Sequence, residues 1–171
     1  MKNLNFTEFQ APTMVATATE GGAEVFPIKY FDHTAYLAQS PQFYKQIMVS
    51  IFEKVFTIAH AYRAEPSVTT RHLTEYIGLD VEMGFIDSWT DLMDAAEYLV
   101  KEIFKAVKEK HQDVLSLFNI DVPQIKNKIP RVKLKEAQQI IFDRTKRDIR
   151  KAPDLDPEGE KEMWRWAMEI H

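Results

Sequence analysis

Two runs of strand character, Val55 to Arg63 and His72 to Phe85, flank a short polar loop, Pro66-Ser-Val-Thr-Thr70. Strands joined by so few residues can pair only antiparallel, because a parallel pair needs a crossover of a dozen residues or more. The chain is therefore committed to a β-hairpin near its middle, and everything else must pack around it. Both ends of the loop carry charge: Tyr62-Arg63-Ala64-Glu65 on one side and Arg71-His72-Leu73-Thr74-Glu75 on the other.

The remaining pattern predicts what surrounds the hairpin. Residues 24 to 31 and 36 to 38 lack a 3.6-residue period and sit between the Gly21-Gly22 and Asp32-His33 turn signals, so two short strands are expected there. From Pro41 onward Phe43, Tyr44, Ile47, Met48, Ile51 and Phe52 are spaced three and four apart, with Ser40 at the N-cap position and Pro41 at N1. This predicts a helix of about three turns. Ser88 with Asp91 forms a capping signal for a long helix. Its apolar positions, Trp89, Leu92, Met93, Ala96, Leu99, Val100, Ile103, Phe104 and Val107, trace one face expected to pack on the sheet. The opposite face, with Lys101, Glu102, Lys105, Lys108 and Glu109, reads as solvated.

After a proline-punctuated connection from Asp121 to Pro130, the pattern gives a short strand at Arg131 to Leu134. Helices are then expected from about Glu136 to Ile149 and from Glu158 to Ile170. Strands with segregated helices indicate an α+β domain on an antiparallel sheet with packed helices.

Composition bounds the function. The 171 residues are 45% hydrophobic, enough for one well-filled core. Basic and acidic side chains number 22 and 26, for a formal charge of -4, so bulk charge does not announce a nucleic-acid binder. The segment Gln124 to Lys151 differs, with ten basic against three acidic side chains; it could meet an RNA backbone or be a solvated face. Cysteine is absent, which excludes disulfide scaffolds, thiolate metal sites and cysteine nucleophiles. His33, His60, His111 and His171 show no metal-ligand spacing, so no metal site is expected among the residues present. No signal peptide or membrane span is legible, and a soluble, cytoplasmic protein without a membrane partner is expected.

Two constellations could carry chemistry. Arg63 and Arg71, at facing ends of a hairpin, present planar donors suited to phosphate or carboxylate, although from spacing alone pairing with Glu65 and Glu75 is the commoner reading. Thr17-Ala-Thr-Glu20-Gly-Gly-Ala-Glu24 is a small-residue loop with two carboxylates and a glycine hinge, which fits a mobile cover over a ligand or a plain surface turn. It lacks the lysine and glycine spacing of a phosphate-cradling P-loop.

Read in order, these segments join others. The chain shows Phe6-Thr-Glu-Phe-Gln-Ala-Pro12, Thr17 to Glu24, Ala38-Gln-Ser-Pro-Gln-Phe-Tyr-Lys-Gln46, Ala61-Tyr-Arg-Ala-Glu65, Thr70-Arg-His-Leu-Thr-Glu-Tyr76 and Leu79-Asp-Val-Glu-Met-Gly-Phe85. This series resembles the catalytic domain of aspartyl-tRNA synthetase of the archaeal and eukaryotic type, a class II aminoacyl-tRNA synthetase. The likeness is dense from Thr7 to Phe85 and thinner to Pro157. It implies a partial class II catalytic fold over residues 1–171. Residues 1–87 would hold the end of motif 1, the substrate loop and motif 2, and residues 88–171 a mainly helical continuation.

The resemblance also implies roles. Arg63 would contact the ATP α-phosphate and the amino-acid carboxylate, and Glu65, Arg71, His72 and Leu73 would line the ATP site. Glu20 would close over the substrate ammonium, and Gln42 and Lys45 would belong to the aspartate pocket. Lysine at position 45 favours aspartate over the asparagine used by relatives, which have an uncharged residue there. The implied partners are L-aspartate, ATP and tRNA, with Mg²⁺ as cofactor and a homodimer as the family's assembly.

The likeness has limits. The sequence starts near the end of motif 1, without the preceding helix or the anticodon-binding OB-fold domain, and stops before motif 3, where the Mg²⁺ ligands are expected. A fragment carrying half a site is the expectation. Between Lys45 and Arg63 it is one residue short, and the family's usual glycine near Val49 to Lys54 is missing, so an altered helix-to-strand turn is expected. A non-catalytic synthetase-like module binding tRNA or protein, and an asparagine synthetase-like relative, are the alternatives.

Overall fold

In the computed structural model, residues 1–17, 24–65, 73–125 and 127–170 are described. The chain divides into two compact units, Met1–Ala96 and Glu97–His171.

The first unit holds two three-stranded sheets. A 3₁₀ turn at Lys2–Leu4 leads into β1 (Thr7–Glu8), followed by β2 (Met14–Val15), β3 (Pro27–Tyr30), β4 (His33–Leu37), α1 (Gln42–Phe52), β5 (Lys54–Tyr62) and β6 (Glu75–Met83). One sheet has the order β1-β5-β6 and the other β2-β4-β3. The predicted hairpin is present: β5 and β6 pair antiparallel without slippage from Lys54 opposite Met83 to Tyr62 opposite Glu75. The sheet is nevertheless mixed, because β1 lies parallel to β5, with Thr7 opposite Val55 and Glu8 opposite Phe56. β5 is thereby central, and Val55, Phe56 and Thr57 are buried in succession, as befits a strand covered on both faces.

The expected pair of short strands is β3 and β4, joined at Phe31-Asp32 with Phe31 at φ 53°. The helix after Pro41 is also found. It begins at Gln42 rather than at the proline, with the Gln42 amide donating to Ser40 Oγ at 3.2 Å. At its far end a residue with a side chain makes the turn. Glu53 adopts φ 62° and ψ −41°, a conformation hostile to a side chain, while its amide closes on the Val49 carbonyl at 2.9 Å. Gly84 donates to the Glu53 carbonyl at 2.8 Å and fixes the turn from the β6 side.

α2 (Trp89–Lys110) starts where the capping signal places it. The Asp91 carboxylate accepts from the Ser88 amide at 3.2 Å, and Ser88 Oγ accepts from Thr90 at 3.3 Å. The expectation that its apolar face is packed is not met. No α2 residue is buried, and Trp89, Leu92, Met93 and Ile103 are exposed. The helix is capped at its N-terminal end and leaves its apolar stripe largely open.

The second unit continues with α3 (Gln112–Phe118), α4 (Leu134–Thr145) and α5 (Pro157–Ile170). The strand expected at Arg131 to Leu134 is absent. Residues 131 to 133 are extended without a pairing partner, Lys133 is the N-cap, and Leu134 already belongs to α4. Extended conformation before a helix looks like a strand in sequence, and only a partner strand makes it one. α4 and α5 pack together around Ile141 and the buried Gln138. Among the described residues no helix is long and apolar enough to cross a membrane.

Candidate functional site

In an antiparallel pair, residues directly opposite share a face. The register therefore places Val55, Thr57, Ala59 and Ala61 of β5 with Glu82, Asp80, Gly78 and Tyr76 of β6 on one surface of the hairpin. The middle of this surface is floored by Ala59, Ala61 and Gly78, and the Asp80 carboxylate and the Tyr76 ring lean over Gly78 from its two sides. The Cα atoms of Asp80 and Tyr76 stand at its two ends, roughly 13 Å apart at the usual rise along a strand.

α1 packs against β5 and β6 and supplies Lys45 to the Asp80 end. The Lys45 ammonium donates to Asp80 Oδ1 at 2.8 Å and lies 3.9 Å from Glu82 Oε2, with its side chain only 12% exposed. It is thus a sheltered cation between two carboxylates, not an exposed helix lysine. Gln42, one turn earlier on α1, is exposed.

Arg63 occupies the other end. Its amide donates to the Thr74 carbonyl at 2.9 Å, its guanidinium carbon lies 5.9 Å from the Tyr76 ring centroid, and Nη1 is 3.9 Å from Glu65. The pairing with Glu65 is long and single-pointed, and Arg63 Nε is buried without a hydrogen-bond partner. A donor held this way is prepared for an acceptor rather than used by one. Leu73 is exposed beside it. Arg71, His72 and Glu20 lie outside the described residues, so the expected convergence of Arg63 with Arg71 is not described.

The strand end is anchored to the segment before α1. Tyr62 donates to the Ala38 carbonyl at 2.9 Å, and the Glu24 carbonyl accepts both the Ala64 amide at 2.9 Å and Nε2 of the buried Gln39 at 3.0 Å. The end of the small-residue loop is thus pinned to the Arg63 strand. On the opposite face of the hairpin His60 and Glu75 meet at 3.2 Å. Burial and a hydrogen bond with Glu75 raise the Tyr62 hydroxyl above its ordinary pKa.

Sequence reasoning missed Thr57, Asp80 and Glu82 as members of this surface. Their signal was strand alternation, but it becomes readable only once the register is known.

The basic stretch from Gln124 to Lys151 is largely engaged within its own unit. Arg144 bonds Glu162 at 2.7 Å and takes Glu169 in a two-pronged contact at 2.8 and 2.7 Å. Arg147 pairs with Asp156, Arg150 with Asp148 at 2.9 Å, and Arg131 lies 3.7 Å from Glu97. The Arg150 hydrogen bond holds Asp148 down at about 2, and Arg144 likewise lowers Glu162 and Glu169 below the usual carboxylate range.

The family model described as class II tRNA synthetases (D, K and N) matches residues 1–169. The chain is 44% identical over 161 residues to an aspartate–tRNA(Asp/Asn) ligase of Deinococcus radiodurans, which covers 94% of the chain and 37% of that protein. It is also 44% identical over 166 residues to the corresponding ligase of Aeropyrum pernix, covering 96% of the chain and 38% of that protein. Among solved structures, the asparaginyl-tRNA synthetase of Pyrococcus horikoshii complexed with asparaginyl-adenylate superimposes with a TM-score of 0.82. The two are 33% identical, over 99% of this chain and 38% of that one. The chain therefore spans a little over a third of the length of the relatives it matches.

Proposed function

Because the chain belongs to the class II tRNA synthetases of the D, K and N group, we propose that it is a section of an aspartate–tRNA ligase catalytic region. In this reading it contributes to the activation of L-aspartate with ATP and to transfer of the aspartyl group to tRNA. The observation that carries the reading is the Lys45 cluster. Free aspartate presents two carboxylates and one ammonium. The surface offers two cations, Lys45 and Arg63, and two carboxylates beside Lys45, Asp80 and Glu82. Asparagine has one carboxylate fewer and would leave one cation without its match, so a sheltered lysine favours the acid over the amide.

The chemistry assigned to this surface is attack of the aspartate α-carboxylate oxygen on the ATP α-phosphorus, with pyrophosphate leaving. Two anions must be brought together, so the reaction needs donors that hold both and absorb the developing charge. Arg63 serves that need, and its Nε is a donor still unpaired. Glu65, Arg71, His72 and Leu73 would line the nucleotide, Glu20 would cover the substrate ammonium, and Gln42 would flank Lys45. The expected Mg²⁺ is not assigned to any described residue. No cluster of three or more suitable ligands occurs among them, and the pair Asp80 and Glu82 faces Lys45. Contact with tRNA is not assigned to residues 124–151, whose arginines already have carboxylate partners.

Titration of the chain with L-aspartate and L-asparagine, as parent and as Lys45→Leu, tests the proposal. Loss of the lysine should weaken aspartate by about 2 to 5 kcal/mol while asparagine and ATP change little. Equal losses for aspartate and asparagine would show that Lys45 does not read the side chain.

A further inference from the structure

We infer that Thr57 is a positioning residue of the amino-acid pocket: its hydroxyl is the donor that receives the Asp80 carboxylate when an anionic substrate side chain draws Lys45 away. This rests on the aspartate reading of Lys45 given above.

Thr57 is 0% exposed, and its Oγ1 is buried with no hydrogen-bond partner. Buried hydroxyls are nearly always paired, so an orphan of this kind in the floor of a candidate site calls for a cause. Asp80 stands directly opposite Thr57 across the β5–β6 ladder. Side chains so placed have Cβ atoms about 5 Å apart, within reach of one hydrogen bond. Asp80 uses Oδ1 on Lys45 at 2.8 Å. Its Oδ2 leans over Gly78, 3.2 Å from where a Cβ on that glycine would stand. Gly78 therefore leaves the Asp80 carboxylate room to turn, and the residue across the rung holds a free O–H.

The exchange follows from charge. A substrate carboxylate at Lys45 competes with Asp80 for the same ammonium, and the two anions repel unless one acquires another donor. Rotation of Asp80 toward Thr57 supplies that donor, and no covalent bond changes. An uncharged amide at Lys45 does not displace Asp80, so the Thr57 hydroxyl matters for aspartate and not for asparagine. The arrangement thus adds discrimination beyond the lysine itself.

Thermal melts of the unliganded chain test the contact. In the parent, Thr57→Val replaces an orphan hydroxyl by an isosteric methyl and should raise Tm slightly. In a Lys45→Met background, where Asp80 has lost its ammonium, the same change should lower Tm. Thr57→Ser keeps the hydroxyl and should shift Tm equally in both backgrounds. A shift of the same sign and size for Thr57→Val in both would overturn the inference. Titration with the two amino acids then tests the substrate half. Thr57→Val should bind L-aspartate about tenfold more weakly, Thr57→Ser should bind like the parent, and L-asparagine should be indifferent to both. Equal aspartate affinity of Thr57→Val and parent overturns the inference alone. Absence of aspartate binding by every chain, alongside the Tm reversal, removes the aspartate reading and the substrate role while leaving the Thr57–Asp80 contact standing.

Discussion

Thr57 in β5 and Gln138 in α4 are both polar and both 0% exposed, yet they are treated in opposite ways. Gln138 donates to the Ala152 carbonyl at 2.8 Å and accepts from Lys135 at 3.1 Å, so its amide is used on both sides. Thr57 Oγ1 pairs with nothing, and neither does Arg63 Nε. The contrast extends to the arginines: Arg144 has two carboxylate partners at hydrogen-bond distance, whereas Arg63 has one at 3.9 Å. Saturated polar groups hold the α4–α5 pair together. On the hairpin, Thr57 Oγ1 and Arg63 Nε keep donors that the protein itself does not use.

Substitutions that separate binding from stability sharpen this contrast. Arg63→Ala should weaken ATP binding by about a hundredfold, the scale of losing one preorganised charged donor, while moving Tm very little. A large fall in Tm with unchanged nucleotide affinity would make Arg63 structural and collapse the distinction. Gln138→Leu should cost about 1 to 3 kcal/mol in chemical denaturation, because it strands the Ala152 carbonyl, while Lys135 keeps its bond to the Arg150 carbonyl at 2.8 Å. A neutral result would mean that the pairing around α4 is not what stabilises it.

Acid should act on the helical unit in particular. Asp148, Asp156, Glu162 and Glu169 all have lowered folded-state pKa values, from hydrogen bonds to Arg150, the Gly159 amide, Arg144 and Arg144 respectively. A carboxylate with a depressed folded pKa contributes stability above its unfolded pKa and loses it as pH falls through the folded value. Far-UV circular dichroism should therefore report helix loss beginning below about pH 4.5 and continuing toward pH 2, with no comparable loss between pH 5 and 7. Helix content independent of pH down to 2 would contradict the role given to these pairs.

The smallest effects lie at single backbone and hydroxyl positions. Glu53→Gly should stabilise the chain by about 1 kcal/mol, since glycine tolerates the positive φ that glutamate is forced to adopt. Thr57→Val should add no more than about 1 kcal/mol. Destabilisation by Glu53→Gly would mean that the glutamate side chain holds the turn through a contact outweighing its strain.

Much of this was legible in the sequence, and what was not has identifiable causes. The hairpin and α1 follow from strong local signals, alternation around a polar loop and a 3.6 period behind Ser40. β1 and β2 are two residues long, too short to show alternation, and exist only through distant partners. Arg131 to Leu134 alternates like a strand but has no neighbour to pair with. The break between α2 and α3 at His111 carries neither glycine nor proline. For the site, Lys45 could be singled out from its segment, but Asp80, Glu82 and Thr57 depend on which residue faces which across the ladder. The deficit at the α1–β5 turn was visible as a missing glycine; that Glu53 takes up the strained conformation needed coordinates.

The parallel pairing of β1 with β5 bears on how the molecule is made. Thr7 and Glu8 are synthesised well before their partners at positions 55 and 56, so this rung cannot close until the hairpin's first strand has been made. Until then β5 lacks its β1-side partner at Val55 and Phe56, and unpaired amides and carbonyls there are a template for adding strands from other molecules. Thr7 and Glu8, together with the Phe9 amide bonding to the Phe56 carbonyl at 3.0 Å, cover that stretch of the edge.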